Sequence, residues 1–120
     1  MNASAPIPIF RSFDEAKARE FYIDFLGFEV TFEHRFDGDA PLYMGLRLGA
    51  CELHLSEHFG DGVPGAVIRV EIDDLDGYCA ALNAKKYRNA RPGILDQTWG
   101  MREMPIDDPS GNKIIFCCDA

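Results

Sequence analysis

The chain repeats its own order of elements. A short apolar run at 7–10 precedes a helix-patterned segment at about 14–25, then three stretches of alternating apolar residues; from about 66 the order begins again, offset by near 60 residues. Asp14 and Asp74 stand at the starts of the two helical segments, and Gly49 and Gly111 occupy the last hairpin turn of each half. A repeat of this length restricts the fold more than any one motif does, because each unit must bury the apolar side of its own elements. Strand, helix and three strands make βαβββ. The expectation is an α+β chain in which a helix covers one face of each sheet from outside and leaves the other face concave. Two such modules, about 5–57 and 65–119, then form one cup-shaped domain over 1–120 with a cleft.

Local signals place the elements. Pro8 lies inside the first apolar run, and proline is tolerated in a first or edge strand but not in a central one. Ser12 or Asp14 caps the first helix; Ala16, Ala18, Phe21, Tyr22 and Phe25 give its apolar face and Gly27 ends it. Phe28, Val30 and Phe32 then alternate with Glu29, Thr31 and Glu33, and Leu42, Met44, Leu46 and Leu48 with Tyr43, Gly45 and Arg47. A fourth strand is expected at 51–56, a glycine-rich loop at 58–65, a strand at 66–72 and a helix from Asp74 to about Lys86. Residues 88–98 read as irregular, followed by a strand at 101–106, a turn at 108–112 and a strand at 113–118.

Composition excludes several classes. With 47% hydrophobic and 27% charged residues the chain is globular, and it has no apolar run of the length a membrane helix needs. Its start, Met-Asn-Ala-Ser-Ala-Pro, has no basic segment backed by an apolar run, so a cytoplasmic protein is expected. Twenty acidic against twelve basic residues leave a net charge of -8. That disfavours nucleic acid, whose binding rests on neutralising phosphates, and favours cationic ligands. Cys51, Cys79, Cys117 and Cys118 lack C-x-x-C and zinc spacing and read as buried reduced thiols.

The chemistry-bearing stretch is Asp96-Gln97-Thr98-Trp99-Gly100-Met101-Arg102-Glu103-Met104, with the only tryptophan. Indole offers a flat face and one N–H donor, suited to stacking on a planar ligand; the competing reading is that Trp99 plugs the core. No nucleophile–base–orienter set can be assembled, since Ser56 and His54 lie in parallel on one strand face, and Gly60-Asp61-Gly62 lacks the context of a phosphate loop.

Phe21-Tyr22-Ile23-Asp24-Phe25-Leu26-Gly27-Phe28 together with Asp108-Pro109-Ser110-Gly111-Asn112 resembles the glyoxalase / bleomycin resistance / dioxygenase superfamily, the vicinal oxygen chelate fold, over the whole chain. The residue 96–104 stretch, Leu53-His54-Leu55-Ser56 and the early Pro8 are similar to its bleomycin resistance proteins. The resemblance implies a homodimer that exchanges its first strand, with Pro8 suited to the exchange, and two ligand clefts at the interface. It implies metal-independent sequestration of a bleomycin-like cationic glycopeptide antibiotic, with no catalysis and no cofactor. The alternatives are a metal-dependent glyoxalase-, dioxygenase- or epimerase-like enzyme and a binder of another small molecule.

Enzymes of this superfamily take one metal ligand from the first and last strand of each module. Alignment on the repeat puts those positions at Ile7, Glu52, Val67 and Ile115, of which only Glu52 can ligate; His54, two residues on, is a partial candidate. For a bound drug, Trp99 and Phe36 would stack, Phe32 and Phe59 extend the apolar wall or merely pack, and Ser56 and His54 anchor polar atoms. Asp61, Glu52 and Glu57 would face a cationic tail. Arg102 either contacts the ligand or pairs with Glu103, Asp107 or Asp108.

Overall fold

The structure, a computed structural model, describes residues 1–120. Its elements are β1 (Ile9–Arg11), α1 (Glu15–Arg19) continued by π-helical turns (Glu20–Phe25), β2 (Glu29–His34), β3 (Tyr43–Leu48), β4 (Cys51–Ser56), β5 (Val67–Glu71), α2 (Leu75–Ala84), β6 (Leu95–Asp96), β7 (Met101–Asp107) and β8 (Lys113–Asp119). They form two four-stranded sheets of matching order, β1-β4-β3-β2 and β5-β8-β7-β6. In each, the module's first strand runs parallel to its last and the other pairs are antiparallel. The α+β duplication expected from the repeat is therefore real, each module contributing one mixed four-stranded sheet.

Both helices start as the sequence indicates. Asp14, rather than Ser12, caps α1 by accepting from Lys17 N at 3.0 Å, and Asp74 caps α2 by accepting from Gly77 N at 2.9 Å. The first helix then widens to π-turns at Glu20–Phe25, which the apolar spacing did not reveal. Residues 88–98 are not wholly irregular: Leu95 and Asp96 pair with Glu103 and Arg102 and supply the second module's missing strand.

One apolar core runs through both modules, from Phe10, Phe21, Phe25, Leu46 and Leu53 to Leu82, Met104, Ile114 and Phe116. It is bordered by Tyr87, whose ring stacks on Phe25 at 4.6 Å, and Tyr78, whose hydroxyl donates to Leu26 O at 2.6 Å. The four cysteines are free thiols; Cys117 is buried and the other three are half-buried. Lys85 closes the open end of the π-turns by donating from Nζ to the carbonyls of Asp24 and Phe25. With their inner faces joined this way, both sheets leave their outer faces bare. β1 pairs with β4 of its own chain, and Pro8 O accepts from His54 N at 3.0 Å. No helix is long and apolar enough to cross a membrane.

Candidate functional site

Strand register sets the bare face of the first sheet in rows. Ile9, His54, Gly45 and Phe32 are successive partners across β1, β4, β3 and β2, and Arg11, Ser56, Tyr43 and His34 form the next row. Their strand neighbours Phe10, Leu55 and Met44 are buried, so by alternation these rows point away from the core.

Phe32 reaches this face through a β-bulge. Val30 pairs with Leu46, yet Phe32 pairs with Gly45, which leaves Thr31 as an extra residue. Val30 and Phe32 therefore lie on opposite faces, although simple alternation put them together. The ring rests directly on Gly45: a Cβ there would lie 2.3 Å from Phe32 Cε1. It stacks with Tyr43 at 6.0 Å and meets His54 edge-on at 5.1 Å. Tyr43 Oη and His54 Nδ1 share a hydrogen bond of 2.8 Å. Burial, and then the negative charge of Asp61, raise the Tyr43 phenol above its ordinary range and keep it protonated.

Ser56 is buried beside this cluster. Its hydroxyl donates to Asp61 Oδ2 at 2.8 Å and accepts from His58 N at 3.1 Å, so it fixes the start of the 58–65 loop. Phe36 stands edge-on to His34 at 4.9 Å and to His58 at 5.8 Å, largely exposed. Phe59 is almost fully exposed. The structure thus gathers Phe32, His54, Ser56 and Asp61 with Tyr43, and holds Phe36 at their margin.

The second sheet's bare face carries a polar network that sequence reasoning missed. Glu103 is 6% exposed, and its carboxylate receives Arg69 Nη1 and, at 3.1 Å, Gln97 Nε2. Gln97 had no expected partner, and Glu103 was expected, if anything, to pair with Arg102 rather than with Arg69 and Gln97. The sequence clue was that Gln97 and Glu103 flank the Trp99-Gly100 turn, but Arg69 comes from another strand and depends on register.

Trp99 sits at the tip of the β6–β7 hairpin, where Gln97 N donates to Met101 O at 2.8 Å and Gly100 takes φ 83°. It is 64% exposed and does not plug the core. Arg102 lies on the helix side of β7. Its two Nη groups hold the Asp76 carboxylate at 2.8 and 2.9 Å and its Nε reaches Asp96 at 3.3 Å, so its acidic partners are neither Glu103, Asp107 nor Asp108. These partners push the guanidinium's affinity for its proton up further, Asp76 most.

A cavity of about 750 Å³ lies where the modules meet, with Ile7, Pro8, Glu52 and Arg69 among its walls. It includes two of the four positions that hold metal in the resembled enzymes. Those positions do not fit an ion here: Ile7, Val67 and Ile115 have no donor, and the Arg69 guanidinium shares the cavity with Glu52. No three of the chain's His, Cys, Asp and Glu side chains are grouped to ligate a metal.

A family model described as "Glyoxalase superfamily protein" matches residues 2–120. No curated protein matches the sequence. Among solved structures, the bleomycin resistance determinant encoded on transposon Tn5 is similar with a TM-score of 0.74 at 22% identity, over 98% of each chain. A bleomycin-binding protein complexed with bleomycin gives 0.70 at 22% identity, covering 98% of this chain and 100% of that one. TnmS3, an antibiotic binding protein from Streptomyces sp. CB03234, gives 0.69 at 22% identity over 100% of both. Likeness at these identities is likeness of fold.

Proposed function

Because the chain belongs to the glyoxalase superfamily, with the family model running through residues 2–120, we propose that it binds and sequesters a small cationic molecule of the bleomycin type, without metal or catalysis, and so confers resistance. The observation that carries this reading is the aromatic cluster of Phe32, Tyr43 and His54 on an uncovered sheet face, beside the acidic Asp61. Aromatic side chains left bare beside a carboxylate suit a flat cationic ligand, which buries the rings and meets the charge. The net charge of -8 draws such a ligand in.

Metal independence is supported by the Arg69 guanidinium, a positive charge lining the same cavity as Glu52, and by the apolar residues at the other ligand positions. The fold neighbours include one solved with bleomycin and one resistance determinant. In this reading the protein is a cytoplasmic homodimer. The Trp99 hairpin and the Phe32 cluster belong to different sheets, and a dimer that exchanges β1 would let one subunit's Trp99 close over its partner's cluster. Glu52, Glu57 and Phe59 would line the rim, and the β1–β4 ladder would be remade between chains at no loss of pairing.

Titration with metal-free bleomycin, followed through the fluorescence of Trp99, tests this. Saturable, stoichiometric quenching is expected, and Trp99→Ala, read by calorimetry because it removes the only tryptophan, should weaken binding by about 1–3 kcal/mol, the worth of a stacked ring. An unchanged signal, or stoichiometric nickel, zinc, iron or manganese in the purified protein, would overturn the reading in favour of another ligand or of a metal enzyme. A monomeric native mass would remove the exchanged strand.

A further inference from the structure

Arg11, like Arg88 and Arg91, makes no ion pair, and it alone among the arginines lies over aromatic rings. It follows Phe10 at the end of β1, in register with Ser56, and takes part in none of the ion pairs that engage Arg19, Arg35, Arg47, Arg69 and Arg102. Its guanidinium carbon lies 4.9 Å from the centroid of the Phe13 ring and 5.9 Å from that of Phe59. Its Nε–H is buried and has no hydrogen-bond partner. Asp61, which is hydrogen-bonded to Ser56, does not come within ion-pair distance of it.

Around this group lies a cavity of about 340 Å³, walled by Arg11, Phe13, Phe59, Gly60, Gly62, Val63 and Pro64. Phe13, Phe59 and Val63 are 58%, 98% and 74% exposed, so a large apolar area surrounds one cation in an acidic protein. The rings contact the guanidinium and leave its N–H fork to meet an acceptor. The buried Nε–H is closed to a ligand, but the two Nη groups make no hydrogen bond and are not buried, and a planar oxyanion would meet them in bidentate geometry.

The geometry points to a second ligand site here, for a small aromatic carboxylate: the carboxylate on the Arg11 fork, the ring between Phe13 and Phe59. This site takes an anion where the Phe32 face takes a cation; it shares Phe59 with the rim proposed for that face, but its carboxylate test needs no bleomycin.

Benzoate titrated into the full chain, followed by the ¹H–¹⁵N resonance of Arg11 Nε–H and the amides of residues 59–65, tests it. Saturable shifts confined to that region are expected, and benzamide, of the same shape without the charge, should produce none. Arg11→Gln should weaken benzoate by about tenfold or more, as loss of a charged hydrogen-bond fork implies. Phe13→Ala should weaken benzoate but not acetate. Arg47→Gln, remote from the cavity, controls for the change of charge and should bind as the parent does. Shifts that do not saturate, an equal response to benzamide, or unchanged binding in a folded Arg11→Gln variant would overturn the proposal.

Discussion

The hydroxyl of Tyr22 donates to the carboxylate of Asp108 at 2.6 Å, across 86 residues of sequence and with both groups buried. The same carboxylate accepts from Ser110 N, Asn112 N and Asn112 Nδ2. Asn112 Nδ2 also donates to Arg11 O, and Ser110 Oγ accepts from Phe13 N. The Asp108 to Asn112 turn, legible in the sequence only as a fold signature, therefore clasps the first module's strand and helix to the second module's hairpin. Tyr22→Phe removes one donor and leaves the carboxylate three; urea unfolding should show a loss of about 1–2 kcal/mol.

Alkaline pH should weaken the fold through its tyrosines. Burial pushes the Tyr22 phenol well above its ordinary value of 10.0, helped by the Asp108 charge, and burial likewise raises Tyr78. The unfolded chain releases these protons near pH 10 while the folded chain keeps them. The contribution to stability is thus complete below that pH and falls as pH rises above it, by at most about 1.4 kcal/mol per pH unit for each group. Denaturant midpoints measured between pH 9 and 11.5 should fall with a shallower slope in Tyr78→Phe than in the parent.

Gly45 makes room for Phe32. A methyl group there would stand 2.3 Å from the ring and 2.5 Å from Thr31 Oγ1. Gly45→Ala should cost about 1–3 kcal/mol as an overpacking change and displace the ring from Tyr43 and His54. Much of that cost should vanish in the Phe32→Ala background, because the two changes act on one contact. Additive losses in the four-variant cycle would contradict this account.

Gln97 satisfies one oxygen of the nearly buried Glu103 carboxylate. Gln97→Ala should therefore destabilise the fold by about 1–3 kcal/mol. The backbone bond from residue 97 to Met101 O persists in the variant, but the side-chain tie that anchors the Trp99 hairpin to Glu103 is lost, so the fluorescence anisotropy of Trp99 should also fall, measured on the free protein at equal temperature.

The repeat, the caps at Asp14 and Asp74 and the alternation of Leu42, Met44 and Leu46 were readable because each is a local pattern. The candidate site was readable in part: His54, Ser56 and Phe32 do share a face with Asp61 close by, though Phe32 is there only because of the bulge at Thr31. That bulge, the π-turns of the first helix and the short β6 carry no composition signal. Arg69, Glu103 and Gln97 meet only once two strands and a hairpin are set in register, and Arg102 found Asp76 across a helix that periodicity could not orient.

The apolar interior passes without a break from Phe10 to Phe116, through both halves of the repeat. A chain that was written twice thus melts once. Heat should remove both modules in a single calorimetric transition, and a protease that nicks the exposed 58–65 loop should leave two fragments that stay bound until the whole body unfolds.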